Sequence, residues 1–287
     1  LGDHLVATHN PLATPMTLWP AEVDAGAGSE VLLLIHGLCM NDLQWARQGH
    51  DHGTALARDL GYTPAYLHYN SGRHISTNGR EFADQLEILV ANWPVAVKEL
   101  AILGHSMGGL LARSAWHYGT AAGHAWPRRL KKLVFLGTPH HGAPMERGGN
   151  LIDIALGVSP YTAPLSRLGK IRSAGITDLR HTWLLDEDWR GRDRFARSSG
   201  HHAAVPLPDG VKCFAIAATT GKQAGDIKDR LVGDGLVPLA SALGCHAEHD
   251  RNLMFPPDRQ WIALETGHLD LLCRKPVYER IRGWLAA

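Results

Sequence analysis

The sequence predicts an α/β fold, a doubly wound and mostly parallel sheet with helices on both faces and an insertion over one sheet edge. Three observations lead to this prediction. Short uninterrupted apolar runs, such as Val31–Ile35, are typical of buried parallel strands. These runs alternate along the chain with segments of helical periodicity. A chain of 287 residues, 45% of them hydrophobic, is also long enough to bury one large core.

The predicted core elements alternate from the N-terminal arm to the last residues. Proline and glycine mark several of their ends, because neither continues a helix easily. Asn78 and Glu81 have the spacing of an N-cap and its partner, ahead of residues that share one apolar helix face. The expected strands are Met16–Trp19, Val31–Ile35, Pro64–Tyr69, Leu100–Leu103, Leu133–Leu136, Val211–Ala217 and Trp261–Leu264, and the expected helices are Asp51–Leu60, Asn78–Trp93, a segment from Leu110 that stops at Gly119, and Val277–Leu285.

The interval 144–208 breaks this alternation. It is rich in Gly, Pro, Arg and Asp and holds two short helical patches, Leu151–Leu156 and Asp178–Leu185. In open α/β sheets, ligands bind at the carboxyl ends of the strands. We therefore interpret 144–208 as a cap or lid over that edge, with a surface excursion without function as the alternative. The core is then formed by residues 1–143 and 209–287.

Composition argues against several classes of protein. A net charge of +1 gives no electrostatic reason to expect a nucleic-acid partner, and no apolar run approaches the roughly 20 residues of a membrane span. Residues 1–30 lack the basic start and apolar stretch of a signal peptide, which favours a cytoplasmic protein. The chain begins with Leu1 rather than Met, which leaves upstream residues open. Without a C-x-x-C pair, we expect free and mostly buried thiols rather than a disulfide at Cys39, Cys213, Cys245 and Cys273.

The segment Gly104–Gly108 carries a serine, Ser106, between an apolar run and a helix-like run. A strand, a sharp turn and a helix with serine at the apex form a nucleophile elbow. Side chains in place of Gly104 and Gly108 would collide with the neighbouring strand and helix. The setting favours a catalytic serine over an ordinary turn.

Acyl transfer through serine needs a base and an acid that orients it. His268 follows the last predicted strand and is the only histidine after residue 249. Asp234 lies in a Gly-Asp-Gly turn after strand Val211–Ala217, and a plain surface turn is its alternative reading. Ser106, Asp234 and His268 also follow the order of α/β-hydrolases. Rival acids are Asp153, Asp226 and Asp229.

The remaining candidates concern the oxyanion and the substrate. The backbone N–H groups of Leu38, after the strand end at Gly37, and of Met107, after the serine, are expected to form the oxyanion hole. Apolar side chains near the elbow and a His-His pair after the next strand are candidates for substrate binding, at Met40, Trp45, His140 and His141. The Cys245–Asp250 segment matches no strong zinc spacing, so no metal or other cofactor is expected.

Four segments together resemble bacterial lipases and esterases of the α/β-hydrolase superfamily: Leu34–Leu38, Gly104–Gly109, Gly137–Gly142 and Gly233–Pro238. The resemblance implies hydrolysis of a small-molecule or lipid ester through an acyl-enzyme, with contact to a lipid interface open. An acyltransferase, a thioesterase or an amidase with the same triad is an alternative, as is a polyester hydrolase with an interfacial cap. A non-catalytic binding protein with a hydrolase fold is a further one.

Overall fold

The structure is a computed structural model that describes residues 16–20, 27–142, 173–191, 205–223 and 233–287. The predicted helical patch Leu151–Leu156 and the rival acids Asp153, Asp226 and Asp229 lie outside these residues.

One sheet of seven strands spans the described part of the chain, in the order β1-β3-β2-β4-β5-β6-β7. Strand β1 pairs antiparallel with β3, and every other pair is parallel. The predicted mostly parallel sheet is therefore confirmed. The strands are β1 (Thr17–Pro20), β2 (Glu30–Ile35), β3 (Thr63–His68), β4 (Glu99–His105), β5 (Leu130–Leu136), β6 (Lys212–Ala218) and β7 (Gln260–Ala263).

Helices cover both faces of this sheet. The side chains of β2 show this, since they alternate between two buried clusters. Leu33 belongs to the same cluster as Phe82 and Leu110, while Leu34 belongs with Leu56 on the other face. This division confirms the doubly wound arrangement. The helices of the described residues are α1 (His52–Leu60), α2 (Ile75–Asn92), α3 (Met107–Ala121), α4 (Ala174–His181), α5 (Asp186–Trp189), α6 (Leu239–Ala242) and α7 (Lys275–Ala286), with short 3-10 turns between some of them.

Helix α2 begins at Ile75, so the predicted start at Asn78 is wrong. The Asp178 carboxylate, 103 residues away, accepts a 2.7 Å hydrogen bond from the Ile75 N–H and thereby satisfies a free donor of the first turn. The Asn78 side chain instead donates to the carbonyl oxygen of Asn70, at 2.9 Å. A cap supplied by a distant residue leaves no local signal in the sequence.

Two other predicted helix ends also differ from the structure. Helix α3 continues through Gly119 to Ala121. Gly119 lies against the Trp126 ring, and a Cβ at this position would approach that ring to 2.7 Å. Close packing, and not helix termination, accounts for this glycine. Helix α4 runs over Ala174–His181 rather than Asp178–Leu185, since Thr182 adopts a left-handed conformation that ends it.

The described parts of the 144–208 interval pack directly on the core. Leu179, Leu184, Leu185 and Val205 join the cluster formed by α2, α3 and one sheet face. The hydroxyl of Ser114, on α3, donates to the Leu184 carbonyl oxygen at 2.7 Å. These residues therefore contribute to the same hydrophobic core as the sheet.

Two general features concern the described residues. None of their helices has the length and apolar character that crossing a membrane requires. The four cysteines, all of them described, are free thiols as expected, but only Cys213 is buried.

The start of α3 lies unusually close to neighbouring strands. A Cβ on Gly108 would lie 2.4 Å from the Ile35 carbonyl oxygen at the end of β2, and one on Gly104 would lie 2.8 Å from the Gly109 backbone. Backbone atoms cannot rotate away as a flexible side chain can. These positions therefore admit glycine only, as the sequence predicts.

Gly108→Ala is expected to lower the free energy of unfolding by about 1–3 kcal/mol, since the added methyl group overpacks backbone atoms. Urea denaturation followed by circular dichroism measures the change. Gly283→Ala is the matched control, because a Cβ there meets no atom within 4 Å in helix α7. This control should be neutral or stabilising by up to about 1 kcal/mol. Equal effects of the two substitutions would contradict the steric explanation.

His52 is a fully buried histidine that connects α1 to the last loop. Its Nε2–H donates to the Leu271 carbonyl oxygen at 2.9 Å, and its Nδ1 accepts from His50 at 2.8 Å. Burial lowers the pKa of His52 to about 4. The folded protein therefore holds this ring neutral at pH values where the unfolded chain protonates it.

His52→Gln is expected to make stability less sensitive to acid. Between pH 6.5 and 4, His52 binds a proton in the unfolded chain but not in the folded protein. The free energy of unfolding therefore falls as the pH drops. One such histidine contributes a slope of about 1.4 kcal/mol per pH unit. Denaturation midpoints at several pH values in this range should show a shallower slope for the variant. An unchanged slope in His52→Gln would refute the assignment.

Candidate active site

Ser106 is the single residue between strand β4 and helix α3, and its backbone is strained. Its φ of 54° and ψ of −124° are rare for a residue with a side chain. The Ser106 N–H donates to the Leu136 carbonyl oxygen at 2.8 Å, and the Gly109 N–H donates to the Ser106 carbonyl oxygen at 3.1 Å. These two bonds hold the turn against its strain.

Asp234 and His268 form a buried pair beside this edge of the sheet. His268 Nδ1 lies 2.6 Å from Asp234 Oδ2, and the side chains are 5% and 0% exposed. The other carboxylate oxygen accepts from the N–H groups of Leu236 and Val237, at 2.9 and 2.8 Å. Because Asp234 has no proton to donate when ionised, Nδ1 carries the hydrogen and leaves the Nε2 lone pair free. The pair thus has the arrangement of a general base and its orienting acid.

His105 joins this pair to the elbow. Its Nε2–H donates to the His268 carbonyl oxygen at 3.1 Å, and the two rings lie with centroids 4.7 Å apart. A Cβ on Gly137, at the end of β5, would lie 3.0 Å from His268 Cε1, so the imidazole rests on that strand end. Within the described residues, no hydrogen bond joins the Ser106 hydroxyl to His268. Such bonds are often long before substrate binds.

The two predicted oxyanion donors flank the serine. A Cβ on Gly37 would lie 3.1 Å from the Ser106 Cβ, which places the loop carrying Leu38 against the elbow. Met107 is the first residue of α3, so its N–H has no acceptor within the helix. The structure therefore places the loop of Leu38 and the first residue of α3 beside Ser106.

The loop with Gly37 is held by two residues that the sequence did not single out. The Tyr69 hydroxyl donates to the His36 carbonyl oxygen at 2.9 Å, and His36 Nδ1–H donates to the Gly37 carbonyl oxygen at 2.9 Å. Burial lowers the pKa of His36 to about 4, so the ring is neutral. Its Nε2 then accepts from the Tyr69 N–H at 3.4 Å. In the sequence, the one sign of this contact is an aromatic residue, Tyr69, directly after β3.

The predicted substrate residues separate into two groups. Met40 lies at the elbow, since its Sδ is 3.4 Å from a Cβ built on Gly37. Trp45 is fully buried, and its ring lies at a steep angle to the His105 ring, with the centroids 6.5 Å apart. The structure therefore places Met40 beside Ser106 and places Trp45 in the core.

His140 and His141 lie on the loop after β5, on the α3 side of the sheet. His140 is buried against Phe135 and accepts from Arg113 at 3.3 Å, while the half-buried His141 ring lies 4.9 Å from His246. Both histidines line a cavity that is separate from the Asp234–His268 pair. The described residues hold no group of three side chains placed to bind a metal ion.

Part of the 144–208 interval reaches the elbow. Ile176, on helix α4, packs against Leu38 and Cys39 of the loop after β2. The Gly175 N–H donates to the Gly72 carbonyl oxygen at 3.2 Å. Helix α4 thus lies over the ends of β2 and β3, at the carboxyl edge of the sheet.

Comparison with known proteins gives a family and similar structures. Residues 26–207 match the family described as PGAP1-like alpha/beta domain, and no curated protein matches the chain. The chain resembles mature Bacillus licheniformis lipase BlEst2, with a TM-score of 0.58 and 17% identity over 94% of this chain and 99% of that one. It also resembles the NocB thioesterase domain, with a TM-score of 0.51 and 14% identity over 95% and 100%.

At these low identities, the structural likenesses establish the fold alone. The family match covers more than half of the chain and includes the elbow at Ser106 and the loop with Gly37 and Leu38. It ends before Asp234 and His268, whose roles depend on their geometry. The chain belongs to the PGAP1-like alpha/beta domain family, within the α/β-hydrolase superfamily.

Proposed function

We propose that the protein is a serine carboxylic-ester hydrolase that acts through an acyl-enzyme. The observation that carries this proposal is the buried 2.6 Å contact between Asp234 and His268, joined through His105 to the strained serine. An aspartate in an ordinary surface turn would be exposed to solvent, whereas Asp234 is buried against a histidine. Strain at Ser106 and close approach of glycines on both sides are also typical of a nucleophile.

In the first step, His268 Nε2 takes the proton of the Ser106 hydroxyl while Oγ bonds to the ester carbonyl carbon. The carbonyl oxygen becomes negative and accepts hydrogen bonds from the N–H groups of Leu38 and Met107. A donor of this kind contributes about 2.7–4 kcal/mol to the transition state. Tyr69 and His36 keep the Leu38 loop in place before substrate arrives, so little reorganisation is needed.

In the second step, protonated His268 gives its proton to the leaving alcohol, and the acyl group stays on Ser106. A water molecule then loses a proton to His268 and attacks the acyl carbonyl, which releases the acid and restores the serine. Asp234 stabilises the charged imidazole in both halves of the reaction. Its backbone N–H partners keep the carboxylate oriented.

We further propose that the 144–208 interval acts as a cap that selects the substrate. Support comes from Ile176, which packs on the oxyanion loop at Leu38 and Cys39. Lipase BlEst2 and the NocB thioesterase domain share this fold, so acyl esters and thioesters are the substrates to test first. A panel of p-nitrophenyl esters of increasing chain length, set against acyl-CoA thioesters and anilides, distinguishes ester hydrolysis from the other acyl chemistries.

Ser106→Ala is expected to reduce kcat on p-nitrophenyl butyrate by at least about 10³-fold, because no nucleophile remains. A fluorophosphonate probe should label the original protein at Ser106 and fail to label the variant. Ser29→Ala, remote from the elbow, is the matched control and should keep both activity and labelling. An active, labelled Ser106→Ala protein would refute the proposal, and an unlabelled original protein would favour a non-catalytic binding role.

Asp234→Asn is expected to lower kcat by about 10⁴-fold with little change in KM, since an amide favours the wrong histidine tautomer. Steady-state kinetics on the same ester provide the measurement. Asp209→Asn, an exposed position, serves as the matched control and should leave kcat unchanged. A loss confined to KM would argue that Asp234 only shapes the binding site.

A further inference from the structure

A cavity of about 140 Å³ lies between the loop after β5 and three later segments of the chain. Arg113 of helix α3 forms part of its wall. None of Ser106, Asp234 and His268 is among the described residues that line it. Its lining consists of Arg113, His140, His141, Thr182, Leu184, Val205, Pro206, Leu207, Asp250, Arg251, Asn252 and Leu253.

We propose that this cavity binds a small carboxylate that carries a short alkyl chain. The binding does not depend on the reaction proposed for Ser106. It follows from a buried positive charge, from donors that lack acceptors, and from the apolar remainder of the wall.

The charge belongs to Arg113, whose side chain is buried. Burial lowers the pKa of its guanidinium to about 10, so the group remains charged at neutral pH. It donates to the Val205 carbonyl oxygen and to His140 Nδ1. Among the ion pairs of the described residues, none includes Arg113. A buried charge without a counter-charge is unfavourable, and an anion in the adjoining cavity would relieve it.

Unsatisfied donors point in the same direction. Because His140 Nδ1 accepts from Arg113, the ring hydrogen lies on Nε2. Within the described part of the chain that atom has no hydrogen-bond partner, and neither has Arg113 Nε. Both residues line the cavity and are more than nine-tenths buried. Buried donors of native proteins are nearly always paired, so two on one wall indicate an acceptor that the described residues do not supply.

Charge and size favour a carboxylate. Burial lowers the pKa of His140 and, to about 4, that of His141, so among the described residues of the inner wall Arg113 alone carries a full charge. At the rim, Asp250 and Arg251 have opposite charges. One guanidinium suits a monoanion and binds a planar carboxylate through two parallel hydrogen bonds. The apolar part of the wall, formed by Leu184, Val205, Pro206, Leu207 and Leu253, accommodates an alkyl chain.

Isothermal titration calorimetry of the full chain with sodium butyrate tests the proposal. Butyrate should bind with one-to-one stoichiometry, and about tenfold or more tightly than uncharged butyramide or inorganic phosphate. Binding should persist after a fluorophosphonate has occupied Ser106. If the probe fails to label Ser106, the proposed reaction fails while the butyrate measurement still stands.

Two variants locate the binding site. Leu207→Trp fills the cavity and leaves Arg113 in place, and Arg113→Gln removes the charge. Each should weaken butyrate binding by about tenfold or more. The matched controls are Leu43→Trp and Arg58→Gln, at exposed positions.

Thermal unfolding checks that the variants are folded. If Arg113→Gln does not fold, Leu207→Trp carries the test. Equal binding of butyrate and butyramide, tighter binding of phosphate, no binding of butyrate, or full affinity in Leu207→Trp would each overturn the proposal.

Discussion

The reversal of the chain at Ser106 is the constraint on which the rest of the structure depends. Strand β4 becomes helix α3 across a single residue, Ser106, which has a positive φ. So tight a reversal brings the helix backbone onto β2 and β4, and only glycine fits at 104 and 108. The same reversal exposes the first N–H groups of α3 at the sheet edge. Core packing and the candidate chemistry therefore arise from one piece of backbone geometry.

The neighbouring strands explain why the acid and the base meet. Strands β6 and β7 are adjacent and parallel, so the loops after their carboxyl ends leave the sheet on the same side. Asp234 follows β6 and His268 follows β7, and their contact closes a separation of 34 residues. His105, at the end of β4, then connects that contact to the elbow. Adjacent parallel strands thus bring together residues that are far apart in the sequence.

The 144–208 interval has a structural role besides any role in substrate choice. Its Asp178 caps helix α2, and His74, at the same helix start, donates to that carboxylate at 2.9 Å. Ile176, two residues before Asp178 on the same helix, packs on Leu38 and Cys39 of the loop after β2. A single short helix, α4, therefore contacts both the start of α2 and the loop beside Ser106.

The sequence by itself determined the strands, the elbow and the order of Ser106, Asp234 and His268. Apolar runs, glycine spacing and turn residues are local properties, which can be read directly from the order of the residues. Only the tertiary structure decided where α2 begins, that Trp45 lies in the core, and that His140 and His141 line a cavity beside Arg113. Each of these results rests on contacts between residues far apart in the chain. Local sequence patterns do not predict such contacts, because these residues meet only when the chain folds.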